Sequence, residues 1–298
     1  MIDPAELKAR LAAKAQETEK YISEKVADFP GAPERLRESM TYSLEAGGKR
    51  IRPVLFLSFG ALFGALRENI IPFAAAIEMI HTYSLIHDDL PAMDDDDLRR
   101  GKPSNHKAFD EATAILAGDG LLTDAFLVMT RTVAPRDRLL EAIRVFARAA
   151  GSAGMVGGQE LDMVYTGASG VTLAQTEQMQ AMKTGAILEA SCVCGAALAG
   201  ASDADLKRTS EYGAAIGKAF QIVDDILDIT ADEKTLGKPR GSDIAAGKNT
   251  WPSLVGLEAS REAARSEAEK AVRALEPYNG EEAEFLRSLA NYIVVRAN

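Results

Sequence analysis

Two runs of acidic residues dominate the chemistry open to this sequence. Residues 87–101 read HDDLPAMDDDDLRRG: Asp88 and Asp89 close an apolar stretch, and Asp94 to Asp97 follow a bend containing proline. Six acids within ten residues repel one another; such a run is either a solvated acidic loop or a divalent-cation site. It is not an EF-hand, because aligned from Asp94 the fifth position is Leu98 and no glycine follows it. Hard carboxylate oxygens at this density suit Mg²⁺ or Mn²⁺ rather than zinc. The second run, QIVDDILD at 221–228, also ends an apolar stretch. Asp224 and Asp228 are four residues apart and share one helical face with Gln221 a turn earlier, whereas Asp225 points about 100° away. Carboxylates among Ile, Val and Leu need a cation or a Lys/Arg partner to offset their burial.

Two such clusters suggest two carboxylate walls across a cavity, with cations between them accepting a strongly anionic group such as a diphosphate. The basic residues fit. Lys49, Arg50 and Arg52 lie in GGKRIRP, Arg99 and Arg100 follow the first acidic run, and Lys183, Lys238 and Lys248 come later. Arginine offers forked donors to phosphate oxygens and lysine a point charge. No G-x-x-x-x-G-K-[ST] is present, so a P-loop nucleotide site is excluded. His81 lies two helical turns before Asp88 and shares its face, which leaves a structural and a functional reading open.

The elements that must position these groups are helices. Three- and four-residue apolar spacing and a wealth of Ala, Leu, Glu, Lys, Arg, Gln and Met predict helices near 4–28, 33–46, 50–65, 70–89, 111–132, 137–156, 172–199, 203–230, 250–274 and 281–296. Strand signals are too isolated to build a sheet, and no linker divides the chain. The expectation is an all-α fold: one helical bundle, residues 1–298, around a central cavity. Cys192 and Cys194 read as small core residues of an Ala-rich helix, with no further Cys or His nearby. A net charge of −10 argues against nucleic acid as a partner. The N-terminus lacks a secretory h-region and no 18 consecutive residues are apolar, so a cytoplasmic protein without a membrane span is expected.

Taken together and in order, HDDLPAMDDDDLRRGKPSNH, DDILD, GGKRIRP, KTG at 183–185, GKPRGSD and GKNTWPSL resemble the motifs of trans-isoprenyl diphosphate synthases, specifically bacterial farnesyl/geranyl diphosphate synthases. The resemblance runs from about residue 40 to the C-terminus. It implies the isoprenoid-synthase fold, a homodimer, and Mg²⁺-dependent condensation of isopentenyl diphosphate with dimethylallyl or geranyl diphosphate. It further implies three Mg²⁺ ions, with Mn²⁺ as a substitute. Two would be held by Asp88 and Asp94 with Asp89 nearby, and the third by Asp224 supported by Asp225 and Asp228. Arg99, Lys183 and Lys238 would grip the allylic diphosphate; Gly48, Lys49, Arg52, His81 and Arg100 would form the isopentenyl diphosphate site. Thr184 and Gln221 would turn oxygens toward the carbocation.

In similar synthases an aromatic side chain one turn before the first Asp limits the product. Tyr83 and Ser84 hold that place, which favours fifteen carbons, with ten or twenty as alternatives. Class I terpene cyclases also use an all-helical, Asp-rich cavity, but DDILD and GGKRIRP speak against that reading. A regulatory small subunit is expected to lack one Asp-rich motif, and both are present.

Overall fold

The computed structural model describes residues 2–230 and 247–295. Among them the chain is helical apart from its turns and one two-residue hairpin, as an all-α fold requires. The helices are α1 (Pro4–Lys25), α2 (Glu34–Leu44), α3 (Ile51–Leu62), α4 (Arg67–Asp88), α5 (Asn105–Ala108), α6 (Glu111–Met129), α7 (Arg136–Ala150), α8 (Met155–Tyr165) and α9 (Leu173–Gln180). A π-helical turn, Ala181–Gly185, joins α9 to α10 (Ala186–Ala199); α11 (Asp203–Thr230), α12 (Trp251–Val255), α13 (Leu257–Ala274) and α14 (Glu281–Val295) follow. Strands Leu98–Arg99 and Lys102–Pro103 pair antiparallel directly after the first acidic run.

Local chemistry sets the boundaries. Asp3 caps α1 by accepting from the Ala5 and Glu6 amides, and Thr172 and Gln175 form a capping box at α9. The buried Arg50 precedes α3 and fastens three helices at one point. Its guanidinium donates to Glu78 on α4 (2.5 Å), Glu19 on α1 (3.0 Å) and the Leu44 carbonyl at the end of α2 (2.6 Å). That explains its cationic charge without any ligand.

Two apolar cores flank the space between α4 and α11. One gathers Phe56, Phe73, Ile77, Ile80, Leu121 and Phe146 around α4, α6 and α7. The other gathers Phe59, Tyr212, Ile216, Ile222, Phe285 and Leu289 around α11, α13 and α14. Both acid-rich helix ends, Asp88 on α4 and Asp224–Asp225 on α11, therefore open onto the same gap.

Contrary to the sequence reading, three helical stretches are long and apolar enough to cross a membrane by length and composition: α4, α6 and Leu173–Ala199. Most of the apolar windows in α4 (72%) and Leu173–Ala199 (56%) are buried inside the protein, against 39% in α6. Leu116 and Leu127 on α6 are 57% and 60% exposed.

Two of the predicted helices are each divided in the structure. The predicted helix 137–156 ends at Ala150, and a separate helix, α8, follows from Met155. The stretch 250–274 divides at Gly256 into α12 and α13.

Candidate active site

The π-helical turn is the centre of the site. Its wider backbone presents Lys183 and Thr184 inward, and single π turns of this kind recur at functional sites. It exists because its neighbours have no side chains to obstruct it. A Cβ on Gly158 of α8 would lie 2.1 Å from the Lys183 amide nitrogen, and one on Gly217 of α11 would lie 2.8 Å from Gly185 Cα. The turn is thus held against both helices by backbone contact. Asp162, one turn beyond Gly158, accepts a 2.6 Å hydrogen bond from Lys183 Nζ. Burial alone would lower the Lys183 ammonium, but Asp162 and Asp88 outweigh it and hold the group above the ordinary lysine range.

Two chambers meet here. The polar one, about 450 Å³, is lined by Asp88, Asp94, Asp224, Lys49, Arg99 and Lys248, with Asp162, Gln180, Lys183, Gln221 and Asp225 also on its wall. The apolar one, about 380 Å³, is lined by Tyr83, Ser84, Leu85, Met93, Met155 and Met163, with Arg52, His81 and Thr184 at one end. Asp88 and Lys183 belong to both. A molecule with an anionic head and a hydrocarbon tail fits this pair of chambers, its head–tail junction beside those two residues.

The electrostatics suit such a molecule. Burial pushes the Asp88 carboxyl up to about 6, with Asp94 and Asp89 adding to the rise and Lys183 and Arg99 opposing it. Burial, then Arg52 and Arg100, holds His81 well below the ordinary histidine range, so its ring is neutral. Its Nε2 accepts from Arg52 Nη1 at 3.2 Å. A Cβ on Gly48 would lie 2.6 Å from the Arg100 guanidinium carbon, and Arg100 donates to the Gly47 carbonyl. Gly48 therefore lets Arg100 lie against the GGK turn. Burial and Asp88 push the Tyr83 phenol up to about 12, so it is un-ionised. Tyr83 meets His87 edge to face at 5.7 Å.

Not every anticipated residue enters the chambers. Asp89 is buried and receives the Arg99 guanidinium, with Arg99 Nε at 3.0 Å. Asp228 is buried outside both linings. Asp225 is on the wall but accepts from Gln180, Gln221 and the Trp251 backbone. Lys238 lies outside the described residues. Asp162 and Gln180 had no place in the predicted site, and Asn249 and Trp251 were quoted only within GKNTWPSL, without a role. Asp162 lies in GGQELD, within residues 157–171, which fall between the predicted helices 137–156 and 172–199.

Among the described residues, no three His, Cys, Asp or Glu side chains converge as a preformed metal cage. The donor set still fits Mg²⁺: Asp88, Asp94 and Asp224 offer hard oxygens from separate segments, leaving room for phosphate oxygens and water between them.

A family model described as polyprenyl synthetase matches residues 33–289. This chain belongs to the polyprenyl synthetase family. It is 48% identical over 264 residues to the farnesyl diphosphate synthase of Geobacillus stearothermophilus, covering 87% of this chain and 88% of that one. It is 43% identical over 296 residues to the chloroplastic geranylgeranyl pyrophosphate synthase of Catharanthus roseus, covering 98% and 82%. The crystal structure of an FPP/GFPP synthase from Zymomonas mobilis superposes with a TM-score of 0.86 at 39% identity, covering 97% of this chain and 99% of that one. The polyprenyl synthetase assignment makes this protein a trans-prenyl diphosphate synthase with an all-α fold, and its relatives divide between farnesyl and geranylgeranyl synthases.

Proposed function

We propose that the protein joins isopentenyl diphosphate to dimethylallyl and then geranyl diphosphate, releasing farnesyl diphosphate. The observation that carries this reading is the junction at Asp88 and Lys183, where a charged chamber of about 450 Å³ opens into an apolar one of about 380 Å³.

The allylic diphosphate occupies the polar chamber, gripped by Lys183 and Arg99. Asp88, Asp94 and Asp224 would hold three Mg²⁺ ions, which would supply Lewis-acid neutralisation of its charge. Lys49, Arg52, His81 and Arg100 hold the isopentenyl diphosphate. The allylic C–O bond breaks and its electron pair leaves with the diphosphate. The isopentenyl double bond then forms the new C–C bond, and the adjacent proton passes to the departed diphosphate. Thr184 and Gln221 place oxygen lone pairs beside the carbocation, a preorganised dipole of the kind that carries much of enzymatic rate enhancement. Tyr83, Met93, Met155 and Met163 keep water from the cation.

Product length follows from Tyr83, which is 6% exposed and sits on the apolar chamber wall about one helical turn below Asp88. Its ring limits the tail to fifteen carbons. A twenty-carbon product is the second reading, supported by the small Ser84 and the flexible Met155 and Met163 beside it. The exposed apolar side chains of α6 support a homodimer, tested by sedimentation equilibrium.

The deciding experiment supplies Mg²⁺, isopentenyl diphosphate and either dimethylallyl or geranyl diphosphate, and identifies the dephosphorylated alcohols. Farnesol from both starters is expected. A twenty-carbon alcohol refutes the role of Tyr83, and a cyclic hydrocarbon or no product refutes the reaction.

A further inference from the structure

Asp225 belongs to a motif whose neighbouring carboxylate, Asp224, faces the polar chamber, yet its own oxygens are engaged elsewhere. Oδ1 accepts from Gln221 Nε2 at 3.0 Å. Oδ2 accepts from Gln180 Nε2 at 2.9 Å and from the Trp251 amide at 3.0 Å. Trp251 Nε1 in turn donates to Gln180 Oε1 at 3.0 Å, which fixes the Gln180 amide with its NH₂ toward Asp225. Asp225, Gln180 and Trp251 are 3%, 9% and 5% exposed, so the arrangement is shielded from solvent.

Both Asp225 oxygens accept in these hydrogen bonds. Gln221 must therefore present its NH₂ to Asp225, which leaves its Oε1 turned the other way. That oxygen accepts from Thr184 Oγ1 at 2.9 Å. With its proton committed to Gln221, Thr184 is left with lone pairs for the chamber it lines. An amide turned over would donate to Thr184 and push the hydroxyl proton toward the chamber, where a cation must form.

We propose that Asp225, with Gln180 and Trp251, is a positioning residue. It sets the hydrogen-bond polarity of the Gln221–Thr184 pair so that oxygen lone pairs, not protons, face the carbocation. The inference rests on prenyl transfer as read above, but not on the length of the product.

The test is Asp225→Asn, nearly isosteric. The two fixed donors at Oδ2 hold the new amide oxygen there and turn its NH₂ toward Gln221. Gln221 must then flip, and the polarity reverses. We expect kcat to fall about 100-fold, the lower end of the loss seen when one preorganised dipole at a charged transition state is removed. KM for both diphosphates, and the calorimetric affinity for a thio-linked geranyl diphosphate analogue with Mg²⁺, should stay within about twofold, roughly 0.4 kcal/mol. Adding Gln221→Glu moves the carboxylate one link along, accepting from both neighbours and restoring the order; this double variant should recover at least tenfold in kcat over Asp225→Asn, about 1.4 kcal/mol.

Weakened Mg²⁺-dependent binding of the analogue would instead make Asp225 a metal ligand and overturn the proposal. So would an unchanged kcat in Asp225→Asn, or a double variant no faster than the single one. Wild-type turnover in the same assay is scored separately: its absence would overturn the prenyl-transfer reading and this inference with it, whereas an active wild type with insensitive variants overturns the inference alone.

Discussion

Lys183 Nζ donates to Asp162 Oδ2 at 2.6 Å, joining the π-helical turn to α8 across the wall of the polar chamber. The ammonium is held between two carboxylates, Asp162 and Asp88, of which only Asp88 reaches both chambers. Asp162 thus fixes the Lys183 ammonium on the wall of the polar chamber.

Removing that support should cost activity more than fold. Asp162→Asn keeps the shape and weakens the hold on Lys183, so kcat/KM for the allylic substrate should fall about 10- to 100-fold, equivalent to the 1.5–3 kcal/mol of a charge-assisted hydrogen bond. Steady-state kinetics with geranyl diphosphate checks this. An unchanged kcat/KM would show that Lys183 needs no partner.

Asp88 should couple stability to pH in the metal-free protein. Its native pKa of about 6 lies above the ordinary value of 3.8. Between those values the native state holds a proton that the unfolded chain has released. The resulting stability is fully present below about pH 4 and is lost as pH rises through about 6. With EDTA, Tm should therefore be higher at pH 5 than at pH 7.5, and Asp88→Asn should flatten the difference while abolishing turnover. Calorimetry at the two pH values is the measurement; equal slopes in both proteins would contradict it.

Tyr83→Ala should lengthen the product to twenty carbons or more by removing the ring from the apolar chamber wall. Tyr83→Phe should leave the distribution unchanged, because an un-ionised phenol acts there by size. Chromatography of the released alcohols separates the cases. A fifteen-carbon product from Tyr83→Ala would place the floor elsewhere.

Gly158→Ala should be far more damaging than a typical glycine replacement. Its Cβ would meet Lys183 backbone at 2.1 Å, and neither α8 nor the π turn can yield without displacing Lys183. A loss of about 3 kcal/mol or more, in the range reserved for overpacking and backbone strain, is expected in denaturant unfolding, together with loss of activity. Gly170→Ala, whose Cβ meets nothing within 4 Å, serves as the control, though its φ of +79° makes it mildly unfavourable.

Much of the site was legible in the residues. Acidic runs at the ends of apolar helical stretches determined which carboxylates could face a cation, and the basic companions of GGKRIRP and KTG determined the anionic class of ligand. Helical periodicity determined an all-α fold. Spacing within one helix is local information, so it also put Tyr83 one turn below Asp88 correctly.

Only the tertiary structure decided which like residues do different work. Arg50 and Arg52 stand two positions apart, yet one ties α1, α2 and α4 together while the other meets His81 in the site. Asp224 and Asp225 are adjacent, but Asp225 is claimed by Gln180 and Trp251, residues 45 and 26 positions away. Gly157 and Gly158, which lie outside every predicted helix, sit inside α8, where Gly158 admits the Lys183 backbone. The physical reason is the same throughout: hydrogen-bond partners and backbone approaches are set by segments far apart in the chain, and a residue's type states what it can do but not which neighbour will use it.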